Sequence, residues 1–490
     1  MRKLALLPGK FSNTGHILAS VGAAVGIANL VLFPARVFNY GGLAFILVFV
    51  LFTFILGVPL MIGETALGKN SQRDAVAAFR SIGGRKWGFA GLFGLITCCF
   101  ILSFYIVVAG WSLYYLYLYL FQYQEITGSV EAALAKNSPS VAGVGGLFGS
   151  FVSSPYKVLL FSGIFMGATV IIVANNIKQG IEWVSTRFIP LLVLMMVCLI
   201  LALPFVAGDR VNYTNFTFDL SALFAMDSNG RVGIIEALGQ SFFSLSLGAC
   251  SMVTYGTHID KNTRVVSNSH YIVHSDTLVA LLAGLLIIPL FSSSSQVGLN
   301  PSLVFINLVD TFYGFGEPWG RIIGVGFFTL FNLAIVTSTI SMLEPAVNYL
   351  SGENEIRRRN YSLLLGTGIF LISLPAILSF NPDSPAFFTN FLGYGDKQSD
   401  TVTMGYFNFI LDFFGTFCLL VGAFLLSVFI RSTWTLEKLF EEITVGGYSP
   451  SRSIKSLLRI TFLWIIPLLM LLLLGAESLK VLFKLGLIEY

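Results

Sequence analysis

Residues 20 to 34 read SVGAAVGIANLVLFP, an apolar stretch that carries Gly22, Gly26, Asn29 and Pro34. A helix interrupted at such residues frees backbone carbonyls and amides, and in a water-free setting each unmatched group costs several kcal/mol. Those groups call for ligands. Carbonyls suit a hard cation such as sodium, while amides at the N-terminus of a half-helix attract a carboxylate through the helix dipole. A second stretch, QSFFSLSLGAC at 240 to 250, has the same character, with hydroxyls and a glycine inside an apolar run. Taken alone, Gly22-x-x-x-Gly26 is also a helix-packing pattern. Asn29 and the second stretch turn the reading toward ligand binding.

Other chemistries find little support. The four histidines, His16, His258, His270 and His274, lack the H-E-x-x-H spacing of a zinc site. Cys98, Cys99, Cys198, Cys250 and Cys418 all fall in apolar runs without metal-ligand spacing, and no disulfide framework follows. The run Ser292 to Ser295 has no base nearby to activate a nucleophile and reads as a helix exit. No catalytic residue and no enzyme are expected.

The elements that position these stretches are membrane helices. The chain of 490 residues is 55% hydrophobic and 11% charged, with a mean hydropathy of +0.81, so most of its surface must face lipid. Its net charge of +4 implies no nucleic-acid partner. Runs of roughly 20 apolar residues, enough to cross about 30 Å of hydrocarbon, recur eleven times. They cover 14–40, 42–68, 88–121, 156–174, 181–207, 233–258, 268–294, 317–350, 359–379, 403–430 and 455–476. The segment WSLYYLYLYLFQYQ at 111–124 reads as a span end anchored in the headgroup layer. Lys69, Arg73, Arg80, Arg85, Lys86 and Arg357 to Arg359 fall on the side of the N-terminus, which places that terminus in the cytoplasm and, after an odd number of spans, the C-terminus outside the cell. The two interrupted spans are the first and the sixth. Two inverted five-helix repeats, 14–207 and 233–430, each opening with a broken helix, would produce this arrangement, with 455–476 as an extra helix.

Four motifs carry a resemblance. GAAVGIAN followed by FP, GVPLMIGETALG at 57–68, FFSLSLG at 242–248 and NLAIVTSTISMLEP at 332–345 resemble the neurotransmitter:sodium symporter family, over essentially all eleven spans. The resemblance implies an all-α polytopic membrane protein of LeuT-like fold in a single transporter domain. It implies a multi-pass protein of the cell membrane, monomeric or weakly homo-oligomeric, that imports an amino acid with sodium by alternating access about a midplane site. A non-transporting amino-acid receptor and a sodium-independent exchanger of the same fold are the alternatives.

The site residues follow from that resemblance. One sodium site maps to Gly22, Val25, Ala334, Thr337 and Ser338. The last three lie at i, i+3 and i+4 and so share one helix face. The other maps to Ala24, Asn29, Ser244 and Asp276. Chloride-dependent members use a tyrosine and a serine where this chain has Phe49 and Ala280, so Asp276, a carboxylate at membrane depth, is expected to replace chloride. The substrate positions are Gly26, Ile101, Tyr105, Phe243, Ser246, Ala249, Thr339 and Met342, with Ala24, Ser244 and Ser338 shared with the ion sites. Glycine at 26 leaves room for a substrate carboxylate, which implies an amino acid, and the uncharged lining implies a neutral and bulky one. Cys250, where relatives have glycine, is expected to take back part of the space. The outer gate is expected from Arg36 with Asp412, and Lys10 or Phe11 stands near the place of a missing tryptophan at the cytoplasmic gate.

Overall fold

A computed structural model describes residues 9–208, 211–226, 232–291, 301–352, 354–393, 405–444 and 449–484. The Ser292 to Ser295 run and the ends of two expected spans, at 294 and 403, lie outside the described residues. Among the described residues nine helices are long and apolar enough to cross a membrane. A tenth span is a pair bent by 53°, α1 (Asn13–Ala24) and α2 (Ala28–Asn39). The sixth expected span is two short helices, and with it the described elements account for the eleven runs.

In chain order the remaining spans are α3 (Leu43–Ser71), α4 (Ala75–Phe121), α7 (Pro155–Ala174), α8 (Ile177–Val206), α11 (Val265–Leu290), α13 (Trp319–Ser351), α14 (Glu355–Leu378), α15 (Gly405–Trp434) and α17 (Arg452–Leu479). Between them lie α5 (Tyr123–Leu134) and α6 (Ser140–Val152), α12 (Pro301–Gly314) and α16 (Leu436–Ile443), all in stretches the hydropathy pattern leaves as connections. The broken sixth span is α9 (Gly233–Ser244) and α10 (Ser251–Thr257). The third span is longer than expected because α4 starts at Ala75 and turns at Gly84, where φ is 76°.

Serine starts the first helix. The Ser12 hydroxyl accepts from the Gly15 amide at 2.9 Å, a capping bond, and donates to Glu182 Oε1 of α8 at 2.6 Å. The interruption that follows is not at Pro34. Val25 is extended, with ψ of 114°, and the chain re-enters a helix through a π turn at Ala28–Leu32, so Pro34 sits in the first turn of the regular helix beyond. A proline is tolerated in a first turn, whose amides have no intrahelical partner.

The aromatic run on α4 also departs from expectation. Trp111, Tyr115 and Tyr119 recur every four residues along one side of the helix and are wholly buried. Their rings pack on Phe305 of α12 and Phe328 of α13, with Tyr115 to Phe328 at 5.3 Å and Trp111 to Phe305 at 5.8 Å. They are bundle core and not a headgroup belt, because α12 supplies a partner where hydropathy shows only a connection. In lipid such burial gains little from the hydrophobic effect, so ring-on-ring contact and shape hold these helices together.

The break in the sixth span is the most constrained backbone in the core. Between α9 and α10 the residues Ser246, Gly248 and Cys250 have φ of +52°, +89° and +61°. A Cβ on Gly248 would stand 2.0 Å from the Leu419 carbonyl oxygen. Left-handed backbone costs a non-glycine residue roughly 1–2 kcal/mol before any clash. Gly248→Ala is therefore expected to destabilise the protein by about 2 kcal/mol or more, read as a lower thermal midpoint in detergent. An unchanged midpoint contradicts this account of the break.

Candidate substrate and ion site

The two breaks meet, and side chains stand in for the lost helix bonds. Tyr105 of α4 accepts the Ile27 amide on its hydroxyl at 2.9 Å. Gln240 of α9 donates to the Ala28 carbonyl at 2.9 Å, and Ser246 donates to the Ala23 carbonyl at 3.2 Å. Glu64 of α3 accepts the Gly248 amide at 2.7 Å, so a carboxylate holds the second break. Glu64 lies in the motif GVPLMIGETALG, and the expected site did not include it. Its signal was there, since an acidic side chain in an apolar span is costly unless it is paired.

A pocket opens between the breaks. Ala24, Gly26, Tyr105 and Ser338 line one end, and Ile101, Phe243, Ala249 and Met342 form apolar walls, with Ser246 also lining. A Cβ on Gly26 would stand 2.2 Å from the Tyr105 hydroxyl and 2.7 Å from Ser338 Oγ. Only glycine leaves that corner open. Ala28 lines the pocket as well, and so do Ala23, Cys98, Ser251 and Leu419, which were not foreseen. Thr339 does not line it. Its hydroxyl faces Thr169 of α7 at 2.9 Å, because it lies one position past Ser338 and so points away around the helix. Ser244 likewise turns from the pocket toward Asp276. Cys250 takes no space either. A Cβ on Gly94 of α4 would stand 2.4 Å from its sulfur, and the extra bulk at 250 is matched by its absence at 94.

Two oxygen clusters flank the pocket. Ser338 Oγ donates to the Val25 carbonyl at 2.8 Å and stands 3.3 Å from the Gly22 and Ala334 carbonyls. Thr337 Oγ1 donates to the Ala334 carbonyl at 2.9 Å. Five residues from α1, its break and α13 thus bring oxygens to one place, a donor set suited to a hard cation. In the second cluster Asn29 donates from its amide to Asp276 Oδ1 at 2.7 Å, and Ser244 donates to Asp276 Oδ2 at 2.5 Å and to Asn29 Oδ1 at 3.2 Å. Asn29, Ser244 and Asp276 are all fully buried, with Phe49 and Ala280 buried nearby in one apolar cluster.

Beyond the pocket, contacts of different kinds join the helices on either side. Arg36 of α2 donates from Nε to Glu236 Oε2 at 3.0 Å and from Nη1 to Gln240. Its acidic partner is Glu236 of α9, where the expectation was Asp412. Helix α9 packs along α2 and brings a carboxylate nearer than α15 does. At the opposite end Phe11, and not Lys10, fills the missing aromatic place. Phe11 is buried, its ring meets Tyr255 at 5.3 Å, and its amide donates to the His258 carbonyl at 2.9 Å, while Lys10 bonds to Gln72. Below it Arg358 of α14 holds Glu344 of α13 through two nitrogens and donates from Nε to the Val173 carbonyl at 2.9 Å.

Known proteins match this chain along nearly its whole length. The sodium:neurotransmitter symporter family model matches residues 10–127. A sodium-dependent transporter of Bacillus subtilis, YhdH, is 32% identical over 443 residues, covering 89% of this chain and 90% of that one. The sodium-dependent neutral amino acid transporter B(0)AT2 of Pongo abelii is 22% identical over 315 residues, 59% of this chain and 41% of the relative. The crystal structure of MhsT in complex with L-phenylalanine superposes with a TM-score of 0.78 at 30% identity, covering 96% of this chain and 99% of MhsT. With its two broken helices and their oxygen clusters, this chain belongs to the sodium:neurotransmitter symporter family, a family of multi-pass membrane transporters of LeuT-like fold.

Proposed function

We propose that this protein is a sodium-coupled symporter that imports a neutral, bulky hydrophobic or aromatic amino acid, independently of chloride. The observation that carries this reading is the pocket itself. At one end Gly26 leaves a corner beside the Tyr105 hydroxyl that admits a carboxylate, and no charged side chain lines the rest. Burying an unpaired charge against Ile101, Phe243, Ala249 and Met342 would cost several kcal/mol, enough to reject acidic and basic amino acids. The phenylalanine in the MhsT structure supports the choice of a large side chain.

Sodium occupies two places in this reading. One shell is built from Gly22, Val25, Ala334, Thr337 and Ser338, and the other from Ala24, Asn29, Ser244 and Asp276. Asp276 supplies as a fixed carboxylate the negative charge that chloride supplies elsewhere in the family. The repeats at 14–207 and 233–430 rock about this centre, with the N-terminus in the cytoplasm and the C-terminus outside. Arg36 with Glu236 and Gln240 closes the outer side, and the Phe11 and Glu344–Arg358 contacts close the inner side.

A binding screen of the amino acids in sodium and in potassium tests the reading. Leucine, phenylalanine and other large neutral amino acids are expected to bind in sodium alone; binding that ignores the cation, or that favours a charged amino acid, defeats it. The double variant Thr337→Ala, Ser338→Ala should stay folded and lose the sodium dependence of binding. For the second shell, uptake by the native protein should be equal in chloride and in gluconate, and Asp276→Asn should abolish it. Native uptake that stops without chloride would contradict the role given to Asp276. For the carboxylate corner, Gly26→Ala forces Tyr105 aside and frees the Ile27 amide, so substrate affinity should fall roughly tenfold with the fold retained. Titration calorimetry of that variant returning native affinity would place the carboxylate elsewhere.

A further inference from the structure

The far end of the pocket has polar groups that the transport reading does not use. On α4, Tyr105, Ile101 and Cys98 stand at i, i−4 and i−7, share one face, and all line the pocket. At about 1.5 Å per residue, the seven steps from Tyr105 to Cys98 span roughly 10 Å, the reach of an amino acid with a bulky side chain. Cys98 therefore lines the pocket well along α4 from the Tyr105 hydroxyl. Ser251, the first residue of α10, lines the pocket with it.

Both groups are buried, and each has acceptors within the protein for its one proton. Cys98 Sγ donates to the Ala249 carbonyl at 3.0 Å, and the Ser251 hydroxyl is directed at the Ser341 carbonyl at 3.4 Å, with Sγ and Oγ themselves 3.4 Å apart. A proton engaged in that way leaves each group its lone pairs to offer a ligand. A lone pair at the end of apolar walls recognises a donor, and a site built to bond a substrate N–H or O–H discriminates against the analogue that lacks it.

We propose that Ser251, assisted by Cys98, forms an acceptor subsite that selects, among bulky neutral amino acids, those whose side chain ends in a hydrogen-bond donor: an indole N–H or a phenol O–H. This rests on the reading of the pocket as a neutral amino-acid site. Phenylalanine and leucine fit the walls and leave the acceptor unmet. One net hydrogen bond corresponds to about fivefold in affinity.

The test uses the purified full-length protein in sodium and measures dissociation constants for tryptophan, for benzothienylalanine, its isostere with sulfur in place of the indole N–H, for tyrosine and for phenylalanine. Tryptophan should bind about fivefold more tightly than its isostere, and tyrosine should gain over phenylalanine by a similar factor. Ser251→Ala should close both gaps while phenylalanine stays within about twofold of its native affinity. Equal binding of tryptophan and its isostere by the native protein overturns the proposal without any variant, and so does a gap that survives in both Ser251→Ala and the Cys98→Ala, Ser251→Ala double variant. Binding of alanine or glycine with none of the aromatic amino acids would instead bring down the large-pocket reading on which the subsite rests, a result distinct from aromatic binding without discrimination.

Discussion

Every backbone amide and carbonyl at membrane depth must find a partner, and the two broken helices leave several without one. The rest of the site follows from that constraint. Side chains reach across to fill the gaps: Tyr105 and Glu64, from unbroken helices, take the Ile27 and Gly248 amides, and Gln240, from the broken sixth span, takes the Ala28 carbonyl of the first. What those side chains leave open is what a ligand can use. The break is thus a set of polar groups partly satisfied by the protein and partly reserved.

The reserved groups differ in character between the two flanks of the pocket. Around Ser338 the oxygens are backbone carbonyls and hydroxyls, with no formal charge. Around Asp276 a carboxylate is fixed between an amide and a hydroxyl and is fully buried. A neutral shell and a charged one would hold a cation on different terms. The Asp276 cluster also ties α11 to α2 just past the first break, so that a cation held there would be mechanically joined to the packing of these helices.

Much of this was legible in the sequence. Glycine, asparagine and hydroxyl residues inside apolar runs marked both breaks, and the hydropathy pattern located all eleven runs. The motif resemblance then named most of the oxygens that meet around Ser338 and around Asp276. The errors have physical causes. Periodicity cannot tell a lipid-facing aromatic from one covered by a helix lying in a connection, as happened with Trp111, Tyr115 and Tyr119. A position one step around a helix, such as Thr339, points elsewhere although it adjoins a site residue. Ion pairs between distant elements, such as Arg36 with Glu236, depend on which helices touch, and no local pattern reports that.

The contact between Cys250 and Gly94 has a consequence of its own. Cys250 sits in a left-handed conformation that favours glycine, yet its sulfur is housed by the absence of a side chain on another helix. Positions 94 and 250 therefore behave as one steric unit whose combined volume is fixed, although they lie far apart in the chain. An added carbon at 94 would meet the sulfur at 250, so bulk at one position excludes bulk at the other, and side chains there can be exchanged as a pair where neither can be enlarged singly.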